Sequence, residues 1–460
     1  MTGAGGKRLA ILLREAMYNL RGGFLVRPLS IAVTLGCSGA LLSWLDEEFP
    51  SLSEWVPKAI FPSHSDPQVA QIILAGIAGS IMTVVSIVFA ILLMTLTLAS
   101  MQFSPRIIVS FSQDRVTQWT LGIFLGTFLY CMAALPAARS LPFPFAPVDA
   151  VLGAMILAIA CVAWLLFFIH HISRAISVNY IVDKIACDTE AVIDEILPWP
   201  RHDGGYRNAG IAPSIEWEAP VASESSGYVR YIDTARLVAL AKEHRFQIRV
   251  LRRVGQFVPA GVSLLAVSRG DRLSPSVTGQ LLGAFDLGPS RTLQQDVEFG
   301  VLQIVDVALK AISPAVNDPT TAISCVDQLS RILIRYSSRE PQDSFLYDPP
   351  GVLRVSIPWI DFAGLLESAL EQIRMYSKGD AAVSLRLLRA LGDVAATTPD
   401  AHRRRMLMAA GKRVVSGCAE RLNQEELANL RARLIELETW APPDETEDKS
   451  YGLRTEKRNE

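Results

Sequence analysis

The residue types best suited to bind a ligand are concentrated in one segment of the C-terminal half, positions 291–336. Carboxylates, an amide and a hydroxyl follow one another there at short intervals. Carboxylate and carbonyl oxygens are the ligands that hard cations such as Ca²⁺ and Mg²⁺ prefer. One interpretation is therefore a polar pocket that binds a cation or another small ligand. Its candidate residues are Asp296, Asp306, Asn317, Asp318, Thr320 and Asp327.

The same segment also has a purely structural interpretation. Asp318 followed by Pro319 is typical of a helix N-cap with proline at the first helical position. The polar residues before them form one stripe of a preceding helix, opposite a stripe of valine and isoleucine. This pattern predicts two helices joined at a corner, whose acidic side chains face water or a basic neighbour such as Arg291 or Arg331. The sequence leaves the pocket and the corner both open.

No motif of a common enzyme class accompanies these residues. The chain has no GxxxxGKS/T, GxGxxG or HExxH motif, and no GxSxG motif between a strand and a helix. Its six cysteines include no CxxC pair, and its six histidines show no ligand spacing. We therefore predict no enzymatic activity, no metal centre of this kind and no cofactor. The net charge of −2 also gives no electrostatic reason to expect a nucleic-acid partner.

The elements that must position any site begin with a hydrophobic N-terminal half. Four membrane spans are predicted, at about 24–45, 70–101, 118–138 and 149–169. The second span has no charged residue at all. At about 1.5 Å per residue it would be roughly 48 Å long, which exceeds the ~30 Å hydrocarbon core of a bilayer. The chain is therefore predicted to be an integral membrane protein.

Small and hydroxyl residues recur along the second span at intervals of three, four and seven, which places them on one side of the helix. This stripe comprises Gly76, Gly79, Thr83, Ser86, Ala90, Thr97, Ser100 and Ser104. Small residues let membrane helices approach each other closely, so the stripe could be a packing surface. The alternative is that it forms the wall of a pore or cavity when several copies assemble. Both interpretations stay open.

Basic residues flanking the spans predict that both termini are cytoplasmic. Residues 1–23 form a predicted cationic amphipathic helix on the membrane surface. Spans two and three are predicted to be joined by a short interfacial elbow. Its marker residues are Pro105, Arg106, Asp114 and Arg115. Span four is predicted to continue through 171–198 as one uninterrupted helix.

The remaining chain is predicted to be soluble and of α+β class, so the fold class is a four-helix membrane unit plus an α+β domain. Residues 215–271 alternate with a period of two and predict a small β-rich subdomain. Residues 272–440 predict a mainly helical domain, including a strand at 352–356, and residues 441–460 a disordered polar tail. The last four predicted helices lie near 359–377, 380–397, 400–418 and 424–439.

Two long segments resemble a known family. They are FSPRIIVSFSQDRVTQWTLGIFLGTFLYC (103–131) and QDVEFGVLQIVDVALKAISPAVNDPTTA (295–322). Both are similar to a bacterial family of predicted multi-pass membrane proteins that is classed only as a domain of unknown function. The resemblance covers most of the chain. It implies a bacterial inner-membrane protein with four spans and a cytoplasmic domain, and it implies no particular activity.

Two functional hypotheses follow. In the first, the protein is a homo-oligomeric channel or pore whose cytoplasmic domain gates or assembles it, with the second span at the axis. In the second, it is a membrane-anchored sensor or scaffold whose cytoplasmic domain binds a ligand, a cation or a protein partner. Both hypotheses place the chain in a lipid bilayer. The first adds other copies of the chain as partners, and both allow a small ion or ligand.

Overall fold

The computed structural model describes residues 26–49, 66–102, 115–140, 144–175, 177–199, 217, 219–349 and 351–440. The predicted surface helix at 1–23, most of the interfacial elbow and the tail at 441–460 lie outside these residues. The chain divides into two compact units, Met1–Ser177 and Val178–Glu460. The first contains the predicted spans and the second the predicted soluble domain.

Four helices in the first unit are long and apolar enough to cross a membrane. They are α1 (Val26–Glu48), α2 (Pro67–Gln102), α3 (Arg115–Ala134) and α4 (Val148–Ala175). A short 3₁₀ turn, Leu135–Ala137, extends α3. Each helix covers a predicted span with ends that differ by a few residues. The prediction of four membrane helices is therefore confirmed.

The core of this unit is formed where α2, α3 and α4 meet. Ala70 and Leu74 of α2 pack there with Tyr130 of α3 and Val151 of α4, and all four are fully or almost fully buried. The Tyr130 hydroxyl donates a hydrogen bond to the Ala150 carbonyl at 3.0 Å. A buried hydroxyl needs such a partner because the apolar surroundings offer no water.

The prediction of one uninterrupted helix from span four through 171–198 is wrong. The structure has two helices, since α4 ends at Ala175 and α5 (Val178–Ile196) begins after Ser177. The backbone N–H of Ser177 bonds to the Arg174 carbonyl at 3.0 Å, three residues back, which is the tightened turn of a helix end. Serine is also favoured immediately before a helix. The apolar period continues across this interruption, so periodicity alone did not reveal it.

Among the described residues, the second unit combines a mixed five-stranded sheet and an antiparallel three-stranded sheet with nine α-helices. The strands are β1 (Ala219–Ala222), β2 (Gly227–Ile232), β3 (Ile248–Val250), β4 (Phe257–Val258), β5 (Ser263–Val267), β6 (Phe285–Gly288), β7 (Phe345–Asp348) and β8 (Val352–Ser356). The helices after α5 are α6 (Thr234–Glu243), α7 (Pro275–Leu282), α8 (Val297–Ala311), α9 (Pro319–Ser337), α10 (Phe362–Tyr376), α11 (Ala381–Thr397), α12 (Ala401–Cys418) and α13 (Gln424–Glu438). The prediction of an α+β domain is confirmed.

The β-rich part is larger than the predicted 215–271. One sheet has the order β1-β5-β3-β8-β7 and the other β4-β2-β6. Strand β8 pairs in parallel with β3, so residues about 100 positions later in the chain complete this sheet. Leu281, Phe285 and Val355 share the core with Ile248. Sequence reasoning placed the boundary too early because long-range strand pairing leaves no local signal.

The helices of the second unit begin where the sequence places capping residues. Each cap side chain accepts a hydrogen bond from a backbone N–H of the first turn, which satisfies donors that the helix itself leaves free. The caps are Asp233, Ser274, Asp296, Asp318, Asp361, Asp380, Asp400 and Asn423. The last four helices start and end within a few residues of the predicted positions.

Candidate functional site

The small and hydroxyl stripe of α2 faces away from the other three membrane helices. The packed side of α2 consists of Ala70, Leu74, Ala78, Ile81 and Val88, each at most 6 % exposed. At 3.6 residues per turn, the stripe lies about 180° from this side. Its members with described side chains are all exposed, and they are Gly76, Gly79, Thr83, Ser86, Ala90 and Thr97. Ser100 lies near the end of α2, and Ser104 lies outside the described residues.

The glycines confirm which surfaces are in contact. A Cβ added at Gly76 or Gly79 would have no atom within 4 Å. In contrast, a Cβ at Gly39 of α1 would lie 2.6 Å from the Tyr130 carbonyl oxygen, and one at Gly126 of α3 would overlap the side chain of Leu35. The close helix contact in this unit is therefore between α1 and α3. The Gly122-xxx-Gly126 spacing was the sequence signal for it.

The hydroxyls of the stripe are satisfied by their own helix. Thr83, Ser86 and Thr97 each donate a hydrogen bond to the carbonyl four residues earlier, at 3.0, 3.0 and 2.8 Å. This pairing removes the cost of an unpaired donor in an apolar environment. Each hydroxyl oxygen still has acceptor capacity that points outward from the bundle. The stripe can therefore face lipid, another helix or water.

Several polar contacts between the membrane helices escaped the sequence reasoning. Trp164 Nε1 donates to Thr120 Oγ1 at 2.9 Å, which joins α4 to α3. Asp46, at the end of α1, accepts hydrogen bonds from the backbone N–H groups of Asp149 and Ala150 at 3.0 and 3.2 Å. It thus caps the first turn of α4 from a neighbouring helix, where the helix dipole favours a carboxylate. These contacts hold α1 and α3 against α4.

The elbow between spans two and three is almost entirely outside the described residues. Pro105, Arg106 and Asp114 belong to the part that the structure does not describe. Arg115 is the first residue of α3 and is exposed. Close to it, Arg27 of α1 donates to the Gln118 side chain at 3.4 Å.

In the second unit, Asp296 belongs to a buried network of charges. Its carboxylate caps α8 by accepting from the Phe299 N–H at 3.1 Å, and it receives two hydrogen bonds from Arg291 at 2.7 and 2.8 Å. Arg291 also bonds to Glu298, which in turn accepts two bonds from Arg253 at 2.9 and 3.1 Å. We refer to Arg253, Arg291, Asp296 and Glu298 as the Arg291 network. The predicted basic neighbour Arg291 is thereby confirmed.

Opposite charges balance one another within the Arg291 network. Burial raises the pKa of Glu298, but the bonds from Arg253 and Arg291 outweigh it and lower that pKa to about 2. The same network holds the pKa of Arg291 above its ordinary value, against the effect of its own burial. Two arginines and two carboxylates leave no net charge for a ligand to neutralise.

The six residues of the predicted polar pocket do not converge on one place. Asp296 begins α8, whereas Asp318 follows its other end, where the Asp318 N–H bonds to the Ala311 carbonyl at 2.8 Å. The helix between them has 15 residues, or about 22 Å at 1.5 Å per residue. Sequence proximity suggested one cluster, but the rigid helix keeps the two carboxylates apart. The single six-residue pocket is therefore wrong.

The other five candidate pocket residues lie at separate places in the fold. Asp318 caps α9, and bonds from the Thr321 hydroxyl and backbone N–H lower its pKa. Asn317 has a φ of +51°, in the left-handed region. Asp327 pairs with Arg386 of α11. Thr320 is exposed and Asp306 is half-buried on α8. Among the described residues, no three His, Cys, Asp or Glu side chains are grouped closely enough to bind a metal ion.

A ladder of three arginines, two on α9 and one just after its end, joins this helix to α5, and only Arg331 was predicted from the sequence. Arg331 Nε bonds to Glu190 at 2.9 Å, and its Nη1 bonds to Asp183 at 2.9 Å. Arg335 Nε bonds to Asp194 at 2.7 Å, and Arg339 pairs with the same carboxylate. The spacing of four was the available signal, because it places Arg331 and Arg335 on one helix face, and Arg339 follows just after the helix ends.

Comparison with known proteins agrees with this architecture. A family model described as "Predicted membrane protein (DUF2254)" matches residues 21–393. The chain belongs to this family. Two mycobacterial members are similar: the uncharacterized proteins Rv1290c of Mycobacterium tuberculosis and Mb1321c of Mycobacterium bovis. Each is 33 % identical over 401 residues, which cover 85 % of this chain and 75 % of the relative.

No solved structure gives a significant match to this DUF2254 protein. The predicted resemblance to a multi-pass membrane family of unknown function is thus confirmed, and the family contributes no activity. Any function has to be argued from the geometry described above.

Proposed function

We propose that this DUF2254 protein is a homo-oligomeric channel. In the assembly, the stripe of α2 from each copy faces a common axis and lines a polar passage. The second unit serves as an assembly or gating domain, and no catalytic reaction is assigned. We further propose that the protein lies in the bacterial inner membrane with both termini in the cytoplasm.

The observation that carries this proposal is the outward direction of the stripe. The stripe is exposed, although α2 packs against other helices of the same bundle through its opposite side. Its exposed members here are Gly76, Gly79, Thr83, Ser86 and Ala90. A surface that only faces lipid gains nothing from small residues and hydroxyls at heptad spacing. Such spacing instead suits helices that meet along their length. Contact with other copies accounts for both the position and the composition of the stripe.

A polar passage, and not only a packed interface, is supported by the residue types. Hydroxyl oxygens along the stripe offer acceptors to water or ions, and channels conduct without ionisable residues in the membrane. Large exposed apolar residues flank the stripe, with Phe89 on one side and Ile87 on the other, and they suit lipid. This arrangement gives each copy one polar edge between two apolar ones.

The test combines oligomeric state with flux. The full-length protein is purified in detergent, its mass is measured by light scattering, and it is reconstituted into liposomes to measure ion and water flux. Ser86→Trp and Ala90→Trp are expected to reduce flux at least tenfold. Phe89→Trp, which adds bulk beside the stripe on the same exposed surface, is the matched control and should leave flux unchanged.

A monomer in detergent that gives no flux in liposomes would contradict the proposal. Equal flux through the wild type and both stripe variants would also contradict it. The first result would favour the alternative of a membrane-anchored sensor or scaffold, in which the spans only anchor the second unit.

A further inference from the structure

The ends of α5 and α9 meet in a cluster formed by Asp194, Trp199, Arg335 and Arg339. Arg335 and Arg339 both bond to Asp194. The Trp199 ring covers Arg339, with its centroid 3.3 Å from the guanidinium carbon, and lies 5.4 Å from that of Arg335. The backbone N–H of Glu340 bonds to the Pro198 carbonyl at 3.2 Å, which holds the chain next to Trp199 in place.

Arg339 is the unusual member of this cluster. Its side chain is 0 % exposed. Its Nε and Nη1 atoms are buried and have no hydrogen-bond partner. Buried polar groups are almost always paired, and a charged donor left unpaired is particularly unfavourable. Asp194 accepts from Arg339 and is shared with Arg335.

The position of these arginines near the C-terminal end of α9 does not account for the missing partners. The negative end of the helix dipole favours a nearby cation, which explains why arginine is tolerated there. The dipole does not supply acceptors to Nε and Nη1. Acceptor atoms of a bound ligand would satisfy these two donors.

We propose that Arg339 and Arg335 form a binding site for an oxyanion, the phosphate or carboxylate group of a ligand, beneath Trp199. The planar guanidinium fork matches the oxygens of these groups along either of its edges. Arg339 is fully buried, and Trp199, which is 63 % exposed, covers it. The N–H donors of a guanidinium lie in its plane, so the anion binds at the unpaired edge of Arg339, and the indole moves aside to give access to that edge. The site is independent of the channel proposal.

The experiment uses the full-length protein and two sources of the anion. Melting temperature is measured against inorganic phosphate at constant ionic strength balanced with chloride, and against acetate as a carboxylate. In a second arm, the protein is placed in nanodiscs of phosphatidylglycerol or phosphatidylcholine. A ligand that binds only the folded state raises the melting temperature in a saturable way.

We expect phosphate to produce a saturable rise in the wild type and equally in Arg389→Gln, which removes an exposed arginine of α11. Arg339→Gln should need at least tenfold more phosphate for half of the effect. If only phosphatidylglycerol gives a rise that depends on Arg339, the source of the anion is a lipid headgroup. If no anion gives an effect that depends on Arg339, the proposal is wrong.

A second variant keeps the test decisive if Arg339→Gln does not fold. Trp199→Ala leaves both arginines in place and removes the cover. It should lower the half-maximal phosphate concentration at least threefold, because the anion no longer displaces the indole. An unchanged midpoint in Trp199→Ala would overturn the site.

Discussion

Gly300 of α8 lies directly against Thr189 of α5, which is fully buried. A methyl group at residue 300 would overlap the Thr189 hydroxyl and approach its Cβ to 3.0 Å. Thr189 cannot turn away freely, because its hydroxyl bonds to the Ile185 carbonyl at 2.6 Å. Glycine at 300 is thus what allows α5 and α8 to cross so closely.

The first prediction follows from this contact. Gly300→Ala should lower the free energy of unfolding by about 1–3 kcal/mol, because it overpacks a closed helix crossing. Gly392→Ala is the matched control, since a Cβ there meets no atom within 4 Å, and alanine favours a helix over glycine. Denaturation of the purified protein, followed by circular dichroism, measures both. Adding Thr189→Ala to Gly300→Ala should restore part of the loss, and strict additivity of the two changes would refute this contact.

Two glycines of the membrane unit, one packed and one exposed, provide a second test. Gly39→Ala should lower the melting temperature in detergent, because its Cβ would lie 2.6 Å from the Tyr130 carbonyl, which belongs to the backbone and cannot move alone. Gly79→Ala should not lower the melting temperature of the monomer, since the position is open. Equal losses in the two variants would mean that α2 packs through its stripe within one chain.

The Arg291 network predicts a pH dependence of stability. The pKa of Glu298 is lowered from 4.5 to about 2 in the folded state. Its stabilising contribution is therefore complete above pH 4.5 and is lost as the pH falls toward 2. At about 1.4 kcal/mol per pKa unit, the contribution is about 3 kcal/mol.

Glu298→Gln should accordingly be less stable than the wild type at pH 7, and this difference should narrow between pH 4.5 and pH 2. Urea denaturation at several pH values measures it. Glu367→Gln, an exposed position on α10, should give a small difference that does not change with pH. A difference for Glu298→Gln that is constant from pH 7 to pH 2 would argue against the network.

Asn317 offers a test of its conformational role. Its φ of +51° suits glycine and asparagine and disfavours branched side chains. Asn317→Gly should leave the melting temperature unchanged or raise it slightly, whereas Asn317→Val should cost about 1–2 kcal/mol. If Asn317→Gly is as unstable as Asn317→Val, the side chain amide makes an essential contact and the conformational explanation fails.

Local patterns predicted a large part of this architecture. Uninterrupted apolar segments gave the four spans, because a helix must satisfy its own backbone hydrogen bonds in lipid. The capping residue Asp318 marked a helix start, because a cap acts on donors only two or three residues away. Alternation with a period of two gave β2 and β3. Each of these signals lies within a few neighbouring residues.

Relationships between distant residues were decided only by the tertiary structure. Sequence alone could not show that the stripe on α2 points away from its own bundle, because periodicity defines a face but not its neighbours. Nor could it show that Asp296 and Asp318 are far apart, or that Asp194 bonds to Arg335 and Arg339. These distances depend on how rigid helices are arranged. Local patterns in the sequence were sufficient to predict a four-span membrane protein with an α+β domain. Packing of helices in space determined which of its polar residues are structural and which are open to a partner.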